Sequence, residues 1–485
     1  MDTDPPLSRS LARGGLIAGP VIALLWWLTG GDQIPHDARV VLALAIWMAI
    51  WWMTEAIPLA VTSLLPLLVL PLFSSLGFNK VAAPYASSIV ALFLGGFMLG
   101  LALQRCGLHR RIALSVLALA GSGPRRLVGA FMLVTALISM WLSNTATMMM
   151  LAPIGLSVIH AWREEHVGSG ASIATHQEFA AALMLGIAYA ASIGGMGTPI
   201  GTPPNLIMAG YLRTEYGMDI SMLEWMRVAV PVLVLLLPAT WLWLCFAAFR
   251  LPKSSPAEVS STLLRERLQQ LGPVTSAERR VALIFVAVAF CWVFRPQLAQ
   301  WTGLAGLDDA VIAIAGALLL FAIHTGPGSN QRLLDWEHTR DLPWDILLLF
   351  GGGLSLAAAI TATGADAPIT GMLGGLQAVP ATVIMLVLAV LIVFSGELTS
   401  NTAAATAMMP VLAGLCAARG LEIMPVFMVA TLVGSCGFML PVATPPNAIA
   451  YGTGVVPMQR MIRAGLGVNL IGIAIIVGYV WLVAF

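Results

Sequence analysis

Apolar segments of about 20 residues follow one another along the whole chain, and this constrains the fold more than any other feature. At a rise of 1.5 Å per residue, about 20 helical residues cross the ~30 Å hydrocarbon core of a bilayer. Only 10% of the 485 residues are charged and 59% are apolar. Soluble domains carry about 25% charged residues. The chain cannot coat a water-exposed surface, so its main solvent is lipid. The expected fold is an all-α polytopic membrane protein. Spans are expected at 14–30, 39–53, 59–76, 84–104, 179–212, 226–249, 281–297, 310–325, 345–363, 425–451 and 464–484, eleven in all. The opening stretch GGLIAGPVIALLWWLTGG reads as the first span rather than a cleaved leader.

Several functions are excluded early. A net charge of +1 offers nothing to nucleic acid. The five cysteines, Cys106, Cys245, Cys291, Cys416 and Cys436, are scattered without CxxC spacing, so they read as small core residues. No HExxH, GxGD or GxSxG arrangement is present, which argues against a hydrolase in the membrane. The expectation is a protein that is not an enzyme.

Two apolar stretches, 127–160 and 379–415, each carry Ser-Asn-Thr near the middle, at Ser143-Asn144-Thr145 and Ser400-Asn401-Thr402. Each is about 35 residues, near twice a half-helix, and reads as a re-entrant hairpin with a polar tip. With both entering and leaving on one side, a cytoplasmic N-terminus places 18 of the 24 Lys and Arg inside. The positive-inside rule then puts the C-terminus outside. Other segments are duplicated too. ALFLGGFMLGLAL (from Ala91) resembles ILLLFGGGLSLAA (from Ile346), and GTPIGTPPNLIMAG (from Gly197) resembles MLPVATPPNAIAYG (from Met439). The order is kept, and the topology gives the two halves opposite orientation. Inverted repeats with broken helices are the architecture of secondary transporters. The expected organisation is residues 1–83 as N-terminal helices and 84–249 as a first repeat. A cytoplasmic connector follows at 250–280, then helices at 281–344 and the rest of the second repeat at 345–485.

The repeated motifs suit small ions. A helix that stops at a polar tip leaves unpaired carbonyls, and the next helix begins with unpaired N–H groups. These ends carry partial negative and positive charge, so one tip can hold a cation and an anionic oxygen side by side. Ser, Thr and Asn add neutral donors and acceptors. Thr202-Pro203-Pro204 and Thr444-Pro445-Pro446 should interrupt the long segments 179–212 and 425–451, because proline lacks the N–H a helix needs. No Arg or Lys lies in either tip or either TPPN loop, so a bound anion calls for co-bound cations.

With both SNT motifs, both TPPN loops and WWMTEAIPLAVTSLLPLLVLP (Trp51–Pro71), the chain resembles the divalent-anion/sodium symporter family along nearly its whole length. That resemblance implies a homodimer in the cytoplasmic membrane, with a scaffold domain and a transport domain that moves as an elevator. It implies sodium-coupled symport of C4-dicarboxylates such as succinate, malate and fumarate. Sulfate or another divalent anion, exchange and proton coupling are the alternatives. By position, substrate falls to Ser143, Asn144, Thr145, Thr202, Pro203, Ser400, Asn401, Thr402, Thr444 and Pro445. A first sodium site maps to Ser139, Ser143, Asn144 and the Gly201 carbonyl, and a second to Gly396, Thr399, Asn401 and the Ala443 carbonyl. The family often has Thr where this chain has Gly396, so the second site lacks a hydroxyl, and a Thr there is expected to strengthen it. Glu397 reads as a hydrogen-bonding residue and Glu55 as structural.

Overall fold

A computed structural model describes residues 6–29, 34–119, 121, 123–166, 173–252, 259–304, 306–365, 367–368, 380–397 and 401–484. Among these residues the chain is helical; an isolated antiparallel bridge pairs His324 with Arg332. Helices α1 (Pro6–Thr29) and α2 (His36–Thr54) pack against each other, and short helices α3 (Leu59–Thr62), α4 (Leu65–Phe73) and α5 (Phe78–Ala82) lead into α6 (Ser88–Arg105). Glu55 closes α2 in a left-handed conformation, φ 47°, which supports its structural role.

The first hairpin is α8 (Pro124–Ser139) and α9 (Asn144–His166), preceded by α7 (Leu108–Ala118). Both arms pack along α10 (Ile173–Gly195), which is 94% buried over its apolar window and so forms the central post. The chain breaks at 196–202, resumes as α11 (Pro203–Tyr216), and turns into α12 (Met222–Leu242). Helix α13 (Val259–Gln270) lies against α7, where Arg111 pairs with Glu278 at 2.7 Å. Helices α14 (Ser276–Val293), α15 (Arg295–Thr302) and α16 (Asp309–Ala322) follow; α16 packs on α6 and α14. Next come α17 (Trp344–Thr363) and a second hairpin, α18 (Ala381–Gly396) and α19 (Asn401–Arg419). The second broken segment is α20 (Ile423–Gly434) and α21 (Pro445–Gly452), and α22 (Met458–Ala484) ends the chain.

By length and composition, fewer helices than the expected eleven spans are long enough on their own. Among the described residues eight helices are long and apolar enough to cross a bilayer, or nine if α14 and α15, bent by 83°, count as one. The segment 59–76 is split into α3 and α4, with Pro66 starting the second piece. The segment 310–325 holds a helix of only 14 residues, about 21 Å long. The segments 179–212 and 425–451 are broken before Pro203 and Pro445, as their sequences predict.

Close helix approach depends on particular glycines. A Cβ at Gly95 in α6 would stand 2.7 Å from the backbone carbonyl carbon of Ala313 in α16. Backbone cannot swing aside as a side chain can. Gly95→Leu should therefore cost about 1–3 kcal/mol through overpacking. A lower thermal midpoint for the variant in detergent checks this.

Candidate functional site

The first tip forms because Ser143 stops one helix and starts the next. Its carbonyl accepts from the Thr147 N–H at 3.0 Å and its hydroxyl accepts from the Ala146 N–H at 3.3 Å. Next to it, Ser139 Oγ stands 2.7 Å from Asn144 Oδ1 and 2.8 Å from the Ala191 carbonyl oxygen. A hydroxyl has one proton, so these three oxygens cannot all be satisfied by it. The Gly201 carbonyl joins them: a Cβ at Gly195 would lie 2.5 Å from Asn144 Oδ1 and 3.1 Å from Gly201 O. Ser139, Asn144 and the Gly201 carbonyl therefore cluster, and the set is neutral oxygen, the donor chemistry of a hard cation.

The unwound loop before Thr202 is held from within. The Asn205 amide donates to the carbonyls of Gly195 at 3.0 Å and Thr198 at 2.8 Å. Asn447 does the same for the second loop, donating to Gly437 at 2.9 Å and Leu440 at 3.1 Å. In both loops the accepting carbonyls lie ten and seven residues before the asparagine. Thr202 and Thr444 adopt the same extended backbone, φ −145°, ψ 144° and φ −144°, ψ 147°. Each caps a helix whose first residue is proline, where a missing N–H costs nothing.

The second tip differs in chemistry. Ser400 and Thr399 lie outside the described residues. Asn401 Oδ1 is buried and has no hydrogen-bond partner among the described residues. In the first tip the corresponding oxygen meets Ser139; here Gly396 stands in that place. A Cβ at Gly396 would lie 2.6 Å from Asn401 Oδ1, so a Thr there displaces the carboxamide instead of simply adding a ligand. Asn401 also sits beside Ala443, since a Cβ at Gly437 would touch Asn401 Nδ2 at 3.2 Å and Ala443 Cβ at 3.1 Å. Next in the chain, Glu397 is 3% exposed. Its carboxylate accepts from the N–H groups of Phe438 at 2.7 Å, Met439 at 2.9 Å and Leu440 at 2.9 Å, and from the Asn469 amide at 2.6 Å. It fastens the hairpin to the second loop by hydrogen bonds, with no basic partner.

Both tips and both TPPN loops meet at one cavity of about 330 Å³. It is lined by Ser143, Asn144 and Thr145, by Gly201, Thr202 and Pro203, by Asn401 and Thr402, and by Ala443, Thr444 and Pro445. The N-termini of α9, α11, α19 and α21 thus face a common space. Their unpaired N–H groups make it attractive to an anion, and no Lys or Arg lines it. Ser139 and Gly396 stand behind the tips and do not line the cavity among the described residues. The structure also brings in residues that the sequence did not single out for the site. Pro58, Leu59 and Ala60 line one wall with Asp345 from the first turn of α17. Ser192 and Ser435 line it too, and their hydroxyls are buried without partners. The two serines precede the glycines of the loops, a weak signal; Asp345 and Pro58–Ala60 arrive through tertiary packing. Among the described residues no group of three or more His, Cys, Asp or Glu is placed to hold a metal ion.

Known proteins resemble the chain in sequence and in fold. The chain is 39% identical over 470 residues to the sodium-dependent dicarboxylate transporter SdcS of Staphylococcus saprophyticus, covering 96% of this chain and 89% of the relative. It is 40% identical over 479 residues to SdcS of Staphylococcus aureus, covering 97% and 90%. Solved structures share the fold at a TM-score of 0.57. The YdaH transporter of Alcanivorax borkumensis is 16% identical, with 92% of this chain and 97% of that one covered. MtrF of Neisseria gonorrhoeae, titled as one of a class of antimetabolite efflux pumps, is 13% identical, with 95% and 96% covered. Residues 14–484 match the family described as the sodium:sulfate symporter transmembrane region, and the chain belongs to that family.

Proposed function

We propose that the chain is a sodium-coupled symporter that carries C4-dicarboxylates across the cytoplasmic membrane. One observation carries this reading: four helix N-termini face a single cavity that has no basic side chain. At the tips and TPPN loops an anion is met by main-chain N–H groups and neutral side chains, with Asp345 on a separate wall. Ser143-Asn144-Thr145 and Thr202-Pro203 would take one carboxylate. Ser400-Asn401-Thr402 and Thr444-Pro445 would take the other. Sodium ions would be carried behind the tips. The first would lie among Ser139, Ser143, Asn144 and the Gly201 carbonyl. The second would lie among Gly396, Thr399, Asn401 and the Ala443 carbonyl. The unpartnered Asn401 Oδ1 supports the second, and the relatives named for sodium-dependent dicarboxylate transport support the class.

Size also favours a dicarboxylate. A 330 Å³ cavity equals roughly ten waters at ~30 Å³ each. A four-carbon dicarboxylate fits in that space with room for water and fills more of it than sulfate does. Because ion and anion share helix ends, each improves the other's affinity. In this reading the hairpins, α10–α12 and α20–α22 move as a transport domain. They slide as an elevator against a scaffold of α1–α6 and α14–α17. The halves are inverted repeats, the protein is a homodimer, and its N-terminus is cytoplasmic.

Asn144→Ala and Asn401→Ala should each lower sodium-driven succinate uptake in liposomes about tenfold or more, since each removes charge-assisted contacts. Normal uptake in either variant contradicts the tip assignment. Glu397→Gln should present an amide nitrogen to N–H donors, costing about 1–3 kcal/mol. It should lower both the thermal midpoint in detergent and the rate of uptake, and unchanged values would show that the carboxylate does not fasten the loop.

A further inference from the structure

Five charged residues meet at the end of α11 remote from the cavity. Arg213 Nη2 lies 2.7 Å from Asp308 Oδ2, and Arg213 Nη1 lies 3.4 Å from Asp219 Oδ1. Arg295 lies 3.3 Å from Asp219, 3.9 Å from Asp308 and 3.5 Å from Asp309. The Met222 N–H donates to Asp309 Oδ2 at 3.0 Å, and Trp292 Nε1 donates to the Asp309 carbonyl at 3.0 Å. Arg213, Asp219 and Met222 come from the end of α11, the following turn and the start of α12. Arg295, Asp308 and Asp309 come from the α14–α15 bend and the start of α16. The two sets meet where helices with different main partners touch: α10 and α12 pack with the first hairpin, α11 packs on α17, α19 and α20, and α14 and α16 pack with each other and with α6, while α12 touches α14.

The position is informative. Helix α11 begins at Pro203 in the cavity wall, and Arg213 of the cluster lies ten residues further along it, about 15 Å away. Asp345, on the cavity wall, follows the other end of α16 through the loop after Ala322. The cluster and the Asp345 wall therefore lie toward opposite faces of the protein. The cavity wall of Asp345 and Pro58–Ala60 lies toward one face, and the ion pairs lie toward the other. We propose that the two pairs that join the sets, Arg213–Asp308 and Arg295–Asp219, are a latch that closes the second face and must break once in every transport cycle.

The chemistry fits a reversible tie. Side chains of Arg213 and Asp308 are 33% and 23% exposed, so water can resolvate them when they part. A fully buried pair would leave uncompensated charges on opening, at a cost too large for a working step. Burial opposes ionisation of Asp308, but its hydrogen bond to Arg213 holds the carboxyl below its ordinary value. Asp308 also caps α16, accepting from the Ala310 N–H at 3.2 Å. Asparagine caps a helix as well as aspartate does. Asp308→Asn thus removes the charge and keeps the helix start.

The latch rests on the transporter reading, and its test separates the two. Replace the five native cysteines, introduce Arg213→Cys with Asp308→Cys, and tie the pair with a short reducible bifunctional thiol reagent in liposomes. Sodium-driven succinate uptake should be lost and should return on reduction. Undiminished uptake by the tied protein overturns the latch. Uptake by the unmodified chain in parallel tests the transporter reading alone. Independently, Asp308→Asn in intact cells should populate the form open on the latched face. By the lysine and arginine distribution this is the external face, so the apparent KM for external succinate should fall about threefold or more. An unchanged or raised KM overturns the latch even if the cysteine pair does not transport.

Discussion

A bilayer forbids the ordinary solution to anion binding, and the rest of the structure follows from that. A lysine or arginine at the membrane centre costs at least ~2.5 kcal/mol. Helix ends deliver partial positive charge without that cost, but only where the backbone is interrupted. Interrupted backbone in turn is tolerated only where it is buried in protein or lines a cavity. The four breaks in this chain meet both demands. Their N–H ends face one space, and their loops are bound by Asn205 and Asn447 from within. The central helix α10, buried nearly all round, keeps both arms of the first hairpin against one of these loops.

The two halves reach similar geometry by different means. In the first, a serine hydroxyl braces the tip asparagine and the Thr198 hydroxyl donates to the Met140 carbonyl. In the second, the serine is Gly396 and the following residue is Glu397, whose carboxylate gathers three backbone N–H groups of the loop. One half braces its tip with hydroxyls and the other holds its loop with a carboxyl group. A side chain at Gly396 meets the Asn401 carboxamide.

Local rules in the sequence anticipated much of this. Proline without an N–H predicts the breaks at Pro203 and Pro445, and Ser-Asn-Thr amid apolar residues predicts the first tip at Asn144. Of the second tip, Asn401 and Thr402 are described and Ser400 lies outside the described residues. Features made by long-range packing escaped. Nothing local marks Asp345 or Pro58 as cavity residues, because each is one polar or rigid position at the end of an ordinary apolar run. The pairing of Arg213 with Asp308 joins residues 95 positions apart. Interruptions within apolar segments escaped for a related reason: hydropathy reads 59–76 and 310–325 as continuous, and helix length comes from proline placement and from how a short helix is covered by its neighbours.

Linkage between sodium and substrate tests the central claim most directly, because helix ends without basic side chains need cations to hold a dianion. Succinate affinity of the purified protein should be measured by calorimetry across a series of sodium concentrations, with ionic strength held constant by choline. The account predicts that succinate binding tightens steadily as sodium rises and is lost in choline alone. Succinate affinity that is the same with and without sodium would contradict it.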